Sequence, residues 1–184
     1  MGKILKFSSR RYKRSVFEDL IRPHIELLYQ LAYRFTNNAM EAEDLVQDLL
    51  VKLYPKSHEL EKVEKLRPWL ARVMYRIWID KMRSQKLLSQ DTFENINNFE
   101  NQIEAEDSDA IPELAYQRSI TQLKLLQALE QLSEDHRVVL ILHDVEGYSM
   151  EEIKIILDCA TGTLKSRLHR ARNRLRKLLD DGTF

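Results

Sequence analysis

A single cysteine, Cys159, in 184 residues excludes an internal disulfide and any metal site built from several thiolates. Four glycines and four prolines are too few for the frequent tight turns of a β-sandwich or barrel, and the 43% hydrophobic content suits helices. No apolar run reaches the roughly 20 residues that a membrane span needs. The N-terminal stretch MGKILKFSSRRYKRS is basic but has no sustained apolar centre, so it does not form a secretory signal. A cytoplasmic protein, not itself in the membrane, is expected. Glycine-rich phosphate loops, H-E-x-x-H and G-x-S-x-G are all missing. His24, His58, His136, His143 and His169 are scattered over different segments. No enzyme, cofactor or metal site is therefore expected.

Net charge is absent too, with 29 basic against 29 acidic residues, but the balance hides segregation. Residues 1–14 carry Lys3, Lys6, Arg10, Arg11, Lys13 and Arg14 and no acid. Residues 85–113 carry acids at 91, 94, 100, 104, 106, 107, 109 and 113 against one base, Lys86. Toward the C-terminus the chain is strongly basic. Separated charge implies several partner surfaces, at least one of them polyanionic.

The most informative stretch runs from Ser149 to Leu179, SMEEIKIILDCATGTLKSRLHRARNRLRKLL. Ser149 and Glu152 form an S-x-x-E capping box, and Ile153, Ile156 and Leu157 give the helix behind it one apolar side. Asp158-Cys159-Ala160 breaks the pattern, with Thr161 as the next cap. Leu164, Leu168, Ala171, Leu175 and Leu178 then repeat at helical spacing. On a wheel of about 100° per residue, Ser166, His169, Arg170 and Asn173 stand opposite the leucines, flanked by Lys165, Arg167, Arg174 and Arg176. A lone helix of this kind is more often a solvated surface helix. The capped helix and tight turn before it make the pair a helix-turn-helix, whose second helix enters a DNA major groove. There Arg and Lys reach phosphates and guanine edges, while Ser, Asn and His bond to bases or phosphates.

Elsewhere the periodicity is also helical. Phe17 to Phe35 forms a first helix with Pro23 as a kink or start, and Asn37-Asn38 ends it. The next helix, about Ala39 to Tyr54, buries Ala42, Leu45, Val46, Leu49 and Leu53 and turns Glu41, Asp44, Gln47, Asp48 and Val51 outward. A polar loop follows to Arg67, with a helical turn in its middle. Pro68-Trp69 opens a third helix through Ser84, with Leu70, Val73, Met74 and Ile77 on one side and Arg72, Arg76 and Arg83 on another. Basic residues interleaved with aromatics suit single-stranded nucleic acid, although Trp69 and Trp78 also suit a core, and for Trp69 the core is the better reading. Residues 85–112 lose periodicity and become a polar, acidic linker. Helices resume near Glu113, with Leu114, Ile120, Leu125, Ala128, Leu129 and Leu132 at near-helical spacing, and Ser133 caps EDHRVVLILHDV. The fold class is all-α: two small helical domains, 15–86 and 113–180, joined by a flexible acidic linker over 87–112, the second carrying the helix-turn-helix.

The segments AEDLVQDLLVKLY (42–54), RPWLARVMYRIWIDKMRS (67–84), LEQLSEDHRVVLILHDVEGYSMEEI (129–153) and TGTLKSRLHRARNRL (161–175), in this order and around a central linker, resemble the extracytoplasmic-function (ECF) sigma factors of bacterial RNA polymerase. The resemblance spans nearly the whole chain from about residue 15, and the GTLKSRLHRAR block after EGYS is its most specific part. It implies a factor that binds core RNA polymerase through the clamp helices and flap, reads the −10 and −35 promoter elements and assists DNA melting. It assigns core docking to the helix bearing Glu41, Asp44, Gln47, Asp48 and Val51. Contact with the −10 element falls to the helix bearing Arg72, Arg76, Ile79 and Arg83, where a flipped base enters a protein pocket. The −35 contacts fall to Lys165, Ser166, Arg167, His169, Arg170 and Asn173. The acidic linker resembles the segment that threads the polymerase toward its RNA exit path. An anti-sigma factor is an implied partner, and the free chain is expected to be a monomer. Trp78 stands where the family commonly has a small residue, and Asp158-Cys159-Ala160 where Gly is commoner. The alternative is a conventional helix-turn-helix regulator whose N-terminal half senses a ligand or dimerises.

Overall fold

The computed structural model describes residues 16–91, 124–125 and 127–180, and among these there are helices and turns but no strand. The start of the chain, most of the acidic linker, and Leu114 and Ile120 of the resuming helix lie outside the described residues. In chain order, residues 16–21 form α1, a 3₁₀ turn spans Arg22–His24, and α2 runs Ile25–Thr36. Helix α3 is Ala39–Leu53, α4 is Ser57–Leu60 and α5 is Leu66–Asp91. Residues 127–130 form α6, and α7 is Glu134–Leu140, continued by a π-helical segment Ile141–Val145. Helices α8, Met150–Leu157, and α9, Thr161–Asp180, complete the molecule.

Local chemistry accounts for most of these boundaries. Pro23 interrupts the first helical stretch as a 3₁₀ turn, because its ring removes an amide donor. Asn37 ends α2 in the left-handed region at φ 53°, and the Asn38 side chain caps α3 by accepting from the Glu41 amide. Helix α5 outruns its expected end at Ser84 and reaches Asp91. The residues there, QKLLSQ, include good helix formers and contain neither Gly nor Pro to stop them. Ser133 occupies the cap position of α7, but its side chain makes no capping bond. The box at Ser149 is complete: Ser149 Oγ accepts from the Glu152 amide, and Glu152 accepts from the Ser149 amide at 2.8 Å. Asp158 ends α8 in the left-handed region at φ 51°, where Asp is better tolerated than a branched residue. The Leu164 amide donates to the Ala160 carbonyl, so Ala160 rather than Thr161 is the cap residue of α9.

Helices α2, α3 and α5 pack on one another. Their core contains Leu28, Leu31, Phe35, Leu45, Leu49, Met74 and Trp78, and all five apolar positions expected in α3 are buried. Trp78 stacks on Phe35 with centroids 4.9 Å apart and 20° between planes, and Tyr75 meets Phe35 edge-on at 6.2 Å. Helix α9 packs on α7 and α8 around Leu142, Tyr148, Ile153, Ile156, Leu164 and Leu168. The run Val138–Leu142 is buried residue after residue, so this segment is enclosed on every side. Helix α5 also packs against α8, bringing the two domains together.

Candidate nucleic-acid interface

Helix α9 is fixed from behind. Leu164, Leu168, Ala171 and Leu178 are buried and Leu175 is half-buried, which leaves Lys165, Ser166, His169, Arg170 and Asn173 exposed in one stripe. Lys165 and Arg170 carry no ion pair among the described residues and are free to meet an anion. Ser166 Oγ donates to the Thr163 carbonyl at 2.9 Å, and Asn173 Nδ2 lies 3.0 Å from His169 Nε2, so these polar groups are already oriented. Arg167 differs. Its side chain is 29% exposed, and Nη2 pairs with Asp135 at 2.6 Å while Nη1 lies 4.0 Å from Cys159 Sγ. It holds α9 to α7 at the edge of the stripe. Cys159 is a half-buried residue of the turn.

One anchor of α9 was not visible in the sequence. Arg172 straddles Asp144, with Nε at 2.9 Å and Nη2 at 2.5 Å, and His143 Nδ1 lies 2.7 Å from the same carboxylate. The hydrogen bond from Arg172, more than any other cause, holds the Asp144 carboxyl below its usual range. In sequence Arg172 looks like another member of a basic row. Its partner, 28 residues away, reveals its anchoring role.

The second candidate face lies on α5. Arg72, Arg76, Ile79 and Arg83 follow at i, i+4, i+7 and i+11, one side of a helix. Arg76 and Arg83 are exposed, while Arg72 and Ile79 are half-buried. Arg72 Nε is enclosed with no hydrogen-bond partner among the described residues. Arg76 Nη2 approaches Asp158, in the turn between α8 and α9, to 3.9 Å. Trp78 lies in the core at 3% exposure, behind this face and not on it. Trp69 is half-buried against the same core.

The third face is the outer side of α3, where Glu41, Asp44, Gln47, Asp48 and Val51 are all exposed. Val51 is 73% exposed and Met40, at the other end of the row, 75% exposed, so acids are bracketed by apolar side chains. An acidic stripe with two exposed hydrophobes fits a protein surface better than a purely solvated face. Lys81 Nζ of α5 pairs with Asp48 at 2.5 Å, and an open groove between the helices is lined by Asp48, Val51, Ile77 and Lys81.

Among the described residues no helix is long and apolar enough to cross a membrane, and no three His, Cys, Asp or Glu side chains cluster to hold a metal ion.

Comparison with known proteins matches this architecture at both ends. Residues 20–87 match the Sigma-70 region 2 family and residues 122–175 match Sigma-70, region 4. The chain is 32% identical over 173 residues to the ECF RNA polymerase sigma factor SigW of Bacillus subtilis, covering 90% of this chain and 89% of that one. It is 32% identical over 163 residues to SigE of Mycolicibacterium smegmatis, covering 89% of this chain and spanning 61% of that relative's length. Among solved structures it is similar to the sigma factor RpoE of Bartonella quintana, crystallised with the anti-sigma factor NepR. The TM-score is 0.68 at 30% identity, over 89% of this chain and 96% of that one. Two sigma regions in the family's order, on an all-helical scaffold ending in a helix-turn-helix, place the chain in a known group: it belongs to the ECF RNA polymerase sigma factors.

Proposed function

We propose that the chain directs promoter-specific transcription initiation as a dissociable subunit of RNA polymerase, gripping promoter DNA with two separate faces. The observation that carries this reading is the exposed basic stripe of α9 behind a complete capping box, in a chain of the sigma family. Lys165, Ser166, His169, Arg170 and Asn173 would read the −35 element in the major groove, with Arg167 and Arg172 fixing the helix that presents them. Arg72, Arg76, Ile79 and Arg83 would meet the −10 element, where a base leaves the stack during melting. The outer face of α3, with Glu41, Asp44, Gln47, Asp48 and Val51, would dock on core polymerase. Residues 15–86 and 113–180 are the units we assign to these tasks, with 87–112 as the tether between them.

A subunit of this kind has no catalysis of its own and works in the cytoplasm. Because RpoE of Bartonella quintana was crystallised with an anti-sigma factor, an anti-sigma partner is proposed here as well. A conventional ligand-sensing regulator finds no support beside two sigma regions in series. The test is run-off transcription on genomic promoter fragments. Core enzyme alone should give no promoter-specific transcript, and adding this chain should produce one. A specific footprint by the chain alone, unchanged by core enzyme, would instead support the regulator.

A further inference from the structure

The front of α9 is not a row of independent side chains. Ser166 gives its only hydroxyl proton to the Thr163 carbonyl, 2.9 Å away, and so faces outward as an acceptor. Two exposed side chains one helical turn apart are joined to each other, with Asn173 Nδ2 3.0 Å from His169 Nε2. An amide nitrogen only donates, so Nε2 accepts and the ring proton is left on Nδ1. A ring protonated on both nitrogens would set N–H against N–H and lose the contact. His169 Nδ1 has no hydrogen-bond partner among the described residues, so its N–H is a donor still to be used.

The pair is not needed to hold the helix. Exposed pairs one turn apart stabilise a helix only slightly, and α9 is already fixed by its leucines, by Arg167 on Asp135 and by Arg172 on Asp144. Position then separates the two residues. A recognition helix meets base edges with its N-terminal part. At 1.5 Å per residue, His169 lies about 12 Å from the start of α9 and Asn173 about 18 Å, against a major groove about 12 Å wide. His169 reaches the rim of the groove, and Asn173 stands one turn behind it.

We propose that Asn173 is a positioning residue of the −35 interface: it holds His169 as the Nδ1–H tautomer, and His169 donates that proton to one hydrogen-bond acceptor of the DNA, a phosphate oxygen at the groove rim or a base edge. The inference rests on the −35 reading of α9 proposed above and gives Asn173 its part in it, exerted through His169. Without Asn173 the ring proton is free to move to Nε2, the tautomer that an unconstrained imidazole favours. Nδ1 then turns a lone pair toward an acceptor, and the bond to DNA is lost.

Amide side chains imitate one ring nitrogen each, and that makes the test specific. In His169→Asn the amide stands where Nδ1 was and donates without help, whereas in His169→Gln it stands where Nε2 was. The chain is bound to core polymerase and its affinity for a promoter duplex found by run-off transcription is read by fluorescence anisotropy. Asn173→Ala should weaken binding about fivefold, the loss of roughly one hydrogen bond. In a His169→Asn chain the same change should have no effect, and His169→Asn should bind nearly as wild type while His169→Gln does not. A base-pair preference that Asn173→Ala flattens identifies a base edge as the acceptor. A loss uniform across sequences, and abolished by a methylphosphonate at one position, identifies a phosphate. Long-range proton–nitrogen NMR spectra of the full chain in mildly alkaline buffer, with His169→Asn to assign the ring, should place the proton on Nδ1 in wild type and on Nε2 in Asn173→Ala. A wild-type proton on Nε2, an unchanged affinity in Asn173→Ala, or an equal loss in the His169→Asn chain overturns the proposal; the last would make Asn173 itself the DNA contact. Arg170→Ala, measured alongside, tests the −35 reading separately. If it too leaves affinity unchanged, α9 does not read the promoter, whichever nitrogen carries the proton.

Discussion

Helices α5 and α9 both carry three or more basic residues along one side, yet they present them differently. Helix α9 is anchored through its leucines and through Arg167 and Arg172 at its flanks, and its front stripe faces solvent. Helix α5 has Trp78 and Met74 behind it, while its proposed contact face is partly covered: Arg72 is half-buried and Arg76 is met by Asp158. A recognition helix for duplex DNA can be ready in advance because the major groove is always open. A helix that meets a melted element has no target until the duplex separates, so covering it in the free chain costs nothing that the reaction then requires.

Trp78 gives the largest expected effect and the most direct way to break this contrast. As a stacked core partner of Phe35, its replacement in Trp78→Ala should cost about 3–5 kcal/mol, measured as a lower urea midpoint for the N-terminal domain. If Trp78 instead met an unpaired base, stability would hardly change and only DNA binding would fall. Asp48→Arg comes next. It replaces an acid of the α3 face with a cation beside Lys81, and should weaken association with core polymerase by roughly 2–3 kcal/mol, since like charge at an interface is strongly opposed. Losing the exposed pair with Lys81 should cost the fold no more than about 1 kcal/mol. Binding assays with core enzyme and thermal unfolding separate the two. Arg170→Ala should reduce affinity for the −35 element by about 1–3 kcal/mol if the side chain makes a bidentate base contact, while core binding and stability stay unchanged because the residue is exposed and unpaired. A footprint of the holoenzyme that weakens only at the −35 side is the expected result.

Much of this contrast was readable from the chain alone. A period near 3.6 placed the buried rows of α3 and α9, and the S-x-x-E spacing placed the cap of α8. These signals are local, and local signals survive without a partner. What escaped was set by distant residues. Rising polarity after Ser84 suggests an end to α5 there, although polarity does not stop a helix that has no Gly or Pro. A helical wheel sets Arg167 and Arg172 nearer the leucine row than Arg170 but does not show what they pair with, since Asp135 and Asp144 belong to another segment. The Arg34–Glu146 pair, 112 residues apart, leaves no periodic trace at all.

The smallest expected effect tests how α9 is held. The Asp144 carboxyl is depressed chiefly by the hydrogen bond from Arg172, and the Glu152 carboxyl by hydrogen bonds from the Ser149 amide and hydroxyl. A group whose folded value lies below its unfolded one adds stability above the unfolded pKa, near 4 for these side chains. It loses that contribution as pH falls through the folded value. The C-terminal domain should therefore be steady from neutral pH to about 5 and weaken below about 4. Asp144→Asn keeps the shape but removes the charge. It should lower the denaturation midpoint slightly at neutral pH and flatten the acid limb, so that its curve and the wild-type curve converge as pH falls. Because Asp144 grips the flank of α9 and leaves the front stripe untouched, −35 affinity at neutral pH should change far less than in Arg170→Ala. Parallel stability curves would mean that the leucine row alone positions the recognition helix, and that α9 needs no electrostatic anchor to stay ready for DNA.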